Sequence, residues 1–192
     1  MKRIFTLCAA LLVAVAALAQ EAPKFGIKSG EITTETDLMG QVMSATTYFD
    51  NYGNLQYSRT KMSMMGMDID MGTLQRDGKT YMINYGDKTV QDGMPGGMGG
   101  GRQEINYLNL TDEVIAKNKI KEVGEEEVSG KPCKVYTTEI SQMGQTVEVK
   151  VYVWEGIPMK TVTNAMGMEI VAKVTEVKEC EVDASLFEVP KF

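Results

Sequence analysis

The sequence predicts a mainly β protein: antiparallel strands assembled from hairpins, with one short helix. Three observations lead there. Apolar and polar residues alternate over many segments, turn signals separate those segments, and a helical period is legible in only one place. "TVEVKVYVW" (146–154) sets Val147, Val149, Val151 and Val153 on one face and Thr146, Glu148, Lys150, Tyr152 and Trp154 on the other. "MEIVAKV" (168–174) does the same with Met168, Ile170, Ala172 and Val174. "EITTETDL", "VMSATTYF" and "YMINY" alternate in the same way. A period of two with one apolar side belongs to a sheet that buries one face. The turn signals are "DNYGN", "RDGK", "VSGK" and "WEGIP", rich in the residues that tight turns require.

The helix is expected from about Asp112 to Asn118, in "LTDEVIAKNK". Thr111 is the N-cap, acids fill the first turn and lysines the last, which complements the helix dipole.

The N-terminal stretch "MKRIFTLCAALLVAVAALAQ" has Lys2 and Arg3, an apolar run from Ile4 to Leu18 and small residues at its end. This is the pattern of a secretory signal peptide over 1–19, cleaved near Ala19 or Gln20. The run is shorter than the roughly 20 apolar residues of a spanning helix. The mature chain, 20–192, is expected to be one soluble domain in the periplasm or outside the cell, and not membrane-spanning once the signal is removed. It loses two of the 20 basic residues and none of the 26 acids, leaving a formal charge of −8. That balance argues against nucleic acid or anionic lipid as an electrostatic partner.

The chain has no histidine. Ser-His-Asp and Cys-His catalysis, His-ligated zinc and the usual general base near neutral pH are therefore absent. No Asp/Glu pair stands out for carboxylate chemistry, and "EVGEEEVSG" (122–130) reads as a solvated edge or turn. The Gly-rich "DGMPGGMGGGR" (92–102) lacks the Lys-Ser/Thr of a phosphate loop and reads as a flexible connection. No catalytic residue, metal ligand set or cofactor is expected.

Met-Gly recurs at 39–40, 65–66, 71–72, 98–99, 143–144 and 166–167. Four of these fit hairpin tips. With Met65-Gly66 as the central pair, Met64 faces Met67, Met62 faces Ile69 and Thr60 faces Met71. The other face then pairs Ser63 with Asp68 and Lys61 with Asp70. At Met143-Gly144 the same register joins Ile140 to Val147, Tyr136 to Val151 and Glu139 to Glu148. Met39-Gly40 pairs Ile32 with Thr47, and Met166-Gly167 pairs Met159 with Val174 and Lys160 with Lys173. The row Met62, Met64, Met67 and Met71 is thus the inward side of a hairpin. Three readings remain open for it. Methionine can simply fill a closed core, can line a surface for a hydrophobic ligand, or can hold Cu(I) through its thioethers.

Several segments occur in a familiar order: "GEITTETDLMGQVMSATTYFDNYGN", "DGKTYMINYGDKT", "VSGKPCKVYTTE", "VYVWEGIPMKTV" and "DASLFEVPKF". Together they resemble the exported proteins related to the periplasmic outer-membrane lipoprotein carriers (LolA/LolB-like). The Trp-Glu-Gly-Ile-Pro strand end and the terminal Leu-Phe-x-Val-Pro carry the likeness most clearly. The resemblance implies a strongly curved sheet or incomplete β-barrel whose apolar concavity binds acyl chains, with a lipid or lipoprotein as partner. The motifs are structural and carry no functional residue onto a numbered position. Twist alone also keeps a long sheet from lying flat, and a curved apolar face with little helix to fill it leaves a groove. Met62, Met64, Met67, Ile69 and Met71 are the candidate ligand-binding residues, joined by Tyr152 and Trp154.

Cys133 and Cys180 are the two cysteines of the mature chain. The strands expected at 132–141, 145–155, 158–165 and 167–179 form a meander that leaves both at one end. Three strand spacings, about 14 Å in a flat sheet, separate them, but the last strand overruns its partner and can curl back. A disulfide is expected in an oxidising compartment, worth about 4 kcal/mol in the chain-entropy model.

Overall fold

The structure is a computed structural model. It describes residues 21–38, 41–64, 67–93, 105–142, 145–165 and 167–192. The signal segment, the Met-Gly tips at 39–40, 65–66 and 143–144, Met166 of the fourth tip, and most of the 92–102 stretch lie outside those residues.

Strands β1 (Gly30–Leu38), β2 (Gln41–Asp50), β3 (Leu55–Met64), β4 (Met67–Arg76), β5 (Lys79–Asn84) and β6 (Thr89–Gly93) form one half of the sheet. Helix α1 (Asp112–Asn118) precedes β7 (Lys121–Val128), β8 (Lys131–Gln142), β9 (Gln145–Trp154), β10 (Ile157–Ala165) and β11 (Met168–Glu179). All eleven make a single antiparallel sheet in the order β6-β5-β4-β3-β2-β1-β11-β10-β9-β8-β7. The chain starts in the middle of the sheet and meanders out to β6. It then crosses to the far edge, β7, and meanders back to pair β11 with β1. The two edges are not joined, so the sheet is open and not a closed barrel.

Local chemistry explains the hairpins. Asp77-Gly78, Ser129-Gly130 and Glu155-Gly156 all have positive φ at both positions, as a type I′ two-residue turn demands. They close β4–β5, β7–β8 and β9–β10 at one end of the sheet. The β1–β2, β3–β4, β8–β9 and β10–β11 connections share the opposite end. Around the tips the registers match the alternation: Met64 faces Met67, Met62 faces Ile69, Thr60 faces Met71 and Lys61 faces Asp70. Ile32 faces Thr47, Lys160 faces Lys173, and Ile140 faces Val147 opposite Glu139–Glu148. Met159 and Val174 are not cross-strand partners, because the β10–β11 ladder ends at Lys160–Lys173.

That ending shapes the core. Beyond it β10 follows only β9, with Met159 as the extra residue between Pro158 and Lys160. β11 follows only β1, with Thr175 as the extra residue opposite the Thr33/Thr34 step. Bulges bend strands, and the two parts of the sheet separate and overlap there. One buried cluster accordingly joins Cys133, Val135, Tyr152 and Ile157 from one face to Ile32, Phe49 and Val174 from the other. The Ser129 hydroxyl donates to the Val174 carbonyl at 2.7 Å, supplying a partner where the β10 ladder has stopped. Phe25, from the segment before β1, stacks edge-on against Phe49 at 5.2 Å.

Tracing the registers across all strands defines two faces. On the inner face Tyr136, Val149, Val151 and Val153 are covered by Ile105, Tyr107, Leu110 and by Val114 and Ile115 of α1. Thr111 caps this helix as expected, accepting from the Val114 amide. On the outer face Tyr57, Leu74 and Ile83 are covered by the C-terminal segment through Phe187, Leu186 and Val189.

Candidate functional site

Among the described residues the inner face is covered unevenly. Over β8 and β9 it is sealed: Val149 is fully buried, and Thr138 is buried with its hydroxyl given to the Asn118 carbonyl at 2.6 Å. Towards β11, β1, β2, β3 and β4 the same face is a floor of half-buried residues. Ile170, Ala172, Met43, Ile69 and Met71 supply the apolar part, and Thr34, Thr36, Thr161 and Thr163 the rest. The strands bearing Met62, Met64 and Met67 place these residues on that face by register; their side chains are outside the described atoms. The methionine row, Met43 on β2 and the apolar face of β11 thus share one surface near the end of the sheet where the Met-Gly connections lie. Met43 was not singled out by sequence reasoning. The available signal was the alternation of "VMSATTYF" together with the shared end of the tips.

Tyr152 and Trp154 are placed elsewhere. The pairings run from Tyr152 to Lys160, Lys160 to Lys173, Lys173 to Glu35 and Glu35 to Ser44. Ser44 shares a side with Thr46, which pairs with Arg59, and Arg59 lies opposite Gly72 on the side that alternates with Met71. Tyr152 and Trp154 therefore belong to the outer face. Tyr152 is buried with the Lys150 and Lys160 ammonium groups each 4.9 Å from its ring centre, and Lys131 lies 4.3 Å over Trp154. Each lysine offers its charge to the negative face of a ring.

The cysteines are separate thiols in the structure, so the expected Cys133–Cys180 bond is not formed there. Cys133 is buried in the overlap cluster, with its thiol given to the Lys131 carbonyl. Burial pushes its pKa up, which disfavours the reactive thiolate. Cys180 follows β11 and is tied to the start of β1, its carbonyl accepting from the Ser29 hydroxyl at 2.8 Å. β9 and β10 stand between β8 and β11 in the sheet, and the end of β11 is held by β1 instead of curling towards β8.

The outer face carries a polar cluster on β3 and β4. Arg59 donates from Nε and Nη2 to the two oxygens of Asp70, both at 2.7 Å. Its guanidinium lies 3.9 Å over the Tyr85 ring. The Tyr57 and Tyr85 hydroxyls bond each other at 2.8 Å. Burial, then the bond to Tyr85, raises the Tyr57 pKa, and the bond to Arg59 holds the Asp70 carboxyl low. Among the described residues no group of three His, Cys, Asp or Glu side chains could hold a metal ion, and no helix is long and apolar enough to cross a membrane.

No family model and no curated protein matches the chain; solved structures do. An uncharacterised conserved protein from Thermus thermophilus superposes with a TM-score of 0.54 at 13% identity, covering 85% of this chain and 86% of that one. The likeness is one of fold. MucB matches with a TM-score of 0.50 at 15% identity over 90% of this chain, which spans 61% of MucB. A LolA superfamily protein, NE2245 from Nitrosomonas europaea, matches with a TM-score of 0.45 at 10% identity, covering 89% and 94% of the two chains.

Proposed function

We propose that this chain is an exported, non-enzymatic protein of the cell envelope that holds a hydrophobic ligand, a lipid or an acylated partner, against the inner face of its sheet. One observation carries the reading. The inner face carries apolar residues among threonines from β8 to β4, and among the described residues the segment containing α1 seals its β8–β9 part alone. Burying apolar surface is favourable at about 25 cal/mol per Å², so a half-covered apolar floor is a standing site for an apolar guest. Met62, Met64, Met67, Ile69 and Met71 line it in this reading, with Met43 and Ile170 beside them. Thioether side chains adapt to varied apolar shapes, which suits acyl chains better than a rigid aromatic wall does. Export rests on the signal pattern of residues 1–19 and agrees with the LolA-like fold.

The test is Met64→Ala and Met71→Ala, each measured for unfolding free energy and for binding of a fluorescent fatty-acid probe. Truncating a closed-core methionine costs about 2–5 kcal/mol. On an open floor the side chain is incompletely desolvated, so the expected loss is below about 1.5 kcal/mol, with probe affinity falling severalfold. Losses in the closed-core range, with no saturable probe binding to the parent protein, would overturn the proposal.

A further inference from the structure

The outer face holds a cavity of about 470 Å³ between β3, the turn after β5 and the C-terminal segment. Its lining divides by chemistry. Leu186, Val189 and Pro190 of the C-terminal segment are apolar, while Tyr57, Arg59 and Tyr85 present donors. Lys191 adds a second cation and Glu188 a single acid.

The donor side has capacity left over. A guanidinium carries five N–H groups. Asp70 takes one from Nε and one from Nη2. Nη1 has no partner among the described residues. In the Tyr57–Tyr85 pair, whichever hydroxyl accepts keeps its own proton for a third group. Stacking on Tyr85 and the double bond to Asp70 hold the guanidinium in one orientation, so little ordering cost remains for a ligand. A cavity of this size lies in the range that takes small molecules.

We propose that this cavity binds a small amphiphilic carboxylate. Its carboxylate meets the unused N–H groups of Arg59 and the spare tyrosine hydroxyl, and its short apolar tail lies on Leu186, Val189 and Pro190. A carboxylate accepts from a guanidinium edge in a planar, two-point geometry that a hydroxyl or amine cannot reproduce. The site is on the opposite face from the methionine floor and stands independently of it.

Octanoate is the probe, titrated into the mature chain while the Arg59 Nε–H and tyrosine ring resonances are followed by NMR. Saturable shifts at Arg59 and Tyr85 are expected, with 1-octanol binding at least about tenfold more weakly, the loss of a charged hydrogen-bonding partner. Arg59→Gln should weaken octanoate about tenfold or more, and Tyr57→Phe combined with Tyr85→Phe, which removes both hydroxyls and keeps the ring under Arg59, by a few-fold. Asp70→Asn removes the negative charge that neutralises Arg59 and should tighten binding about two- to fivefold, the worth of an exposed ion pair. Met71→Ala should leave this site unchanged. Shifts centred on Met71, equal affinity for octanol, or unaltered affinity in both the Tyr57→Phe/Tyr85→Phe double variant and Asp70→Asn would overturn the proposal, even where Arg59→Gln fails to fold.

Discussion

Gly53 shows how much one residue can decide. It lies in the turn after β2 with φ +81°, and a Cβ there would sit 2.6 Å from the Phe25 ring. Positive φ costs an L-residue about 1–2 kcal/mol, and the clash would displace Phe25 from Phe49. Gly53→Ala is expected to destabilise by about 2–4 kcal/mol, adding an overpacking penalty to the backbone one. Urea denaturation measures this, and a loss under about 1 kcal/mol would mean that Phe25 is not fixed on Phe49. "DNYGN" advertised a turn. That its glycine also makes room for an aromatic ring from a distant part of the sequence was not legible, because Phe25 belongs to no alternating segment.

The elements were readable where local preference and tertiary packing agree. α1 starts and stops at the residues its cap and charges indicate, and the hairpin registers followed from keeping apolar residues on one face. One element was less legible. β7, "KEVGEEEV", is exposed at every position but Val128. An edge strand has no buried face to create alternation, and its charges guard an unpaired edge. The strand expected at 132–141 is β8, but that it buries Cys133 under the overlap while β1 holds the end of β11 beside Cys180 was not legible. With both thiols free, an alkylating reagent should modify Cys180 in the native protein and Cys133 only after unfolding. The unfolded, unreduced protein should titrate two thiols; none would mean that the chain oxidises to the Cys133–Cys180 bond.

At the scale of the molecule, the decisive feature is the parting of β10 from β11. It lets side chains from opposite faces meet in one core, which a simple two-faced sheet does not allow. Ser129 spans this parting, and its loss leaves the Val174 carbonyl with one partner fewer. Ser129→Ala should cost about 1 kcal/mol, the worth of one such hydrogen bond, and should speed amide exchange in β11 beyond Val174 more than in β3–β5. Uniform exchange would mean that the overlap opens only with the whole sheet.

The sequence by itself determined the β class, the helix at Asp112–Asn118 and its ends, the hairpin registers beside the Met-Gly tips and the common face of the methionine row. Each depends on periodicity, capping or turn chemistry among neighbours in the chain. Tertiary structure decided that eleven strands join in one sheet with β11 against β1, and that Tyr152 and Trp154 lie on the far side from the methionines. It also decided that the C-terminal segment builds a cavity with Arg59 and Tyr85. The physical reason is that alternation specifies which residues share a face within a hairpin. The face's partner comes from packing between strands and segments far apart in sequence, where bulges such as those at Met159 and Thr175 redirect whole strands.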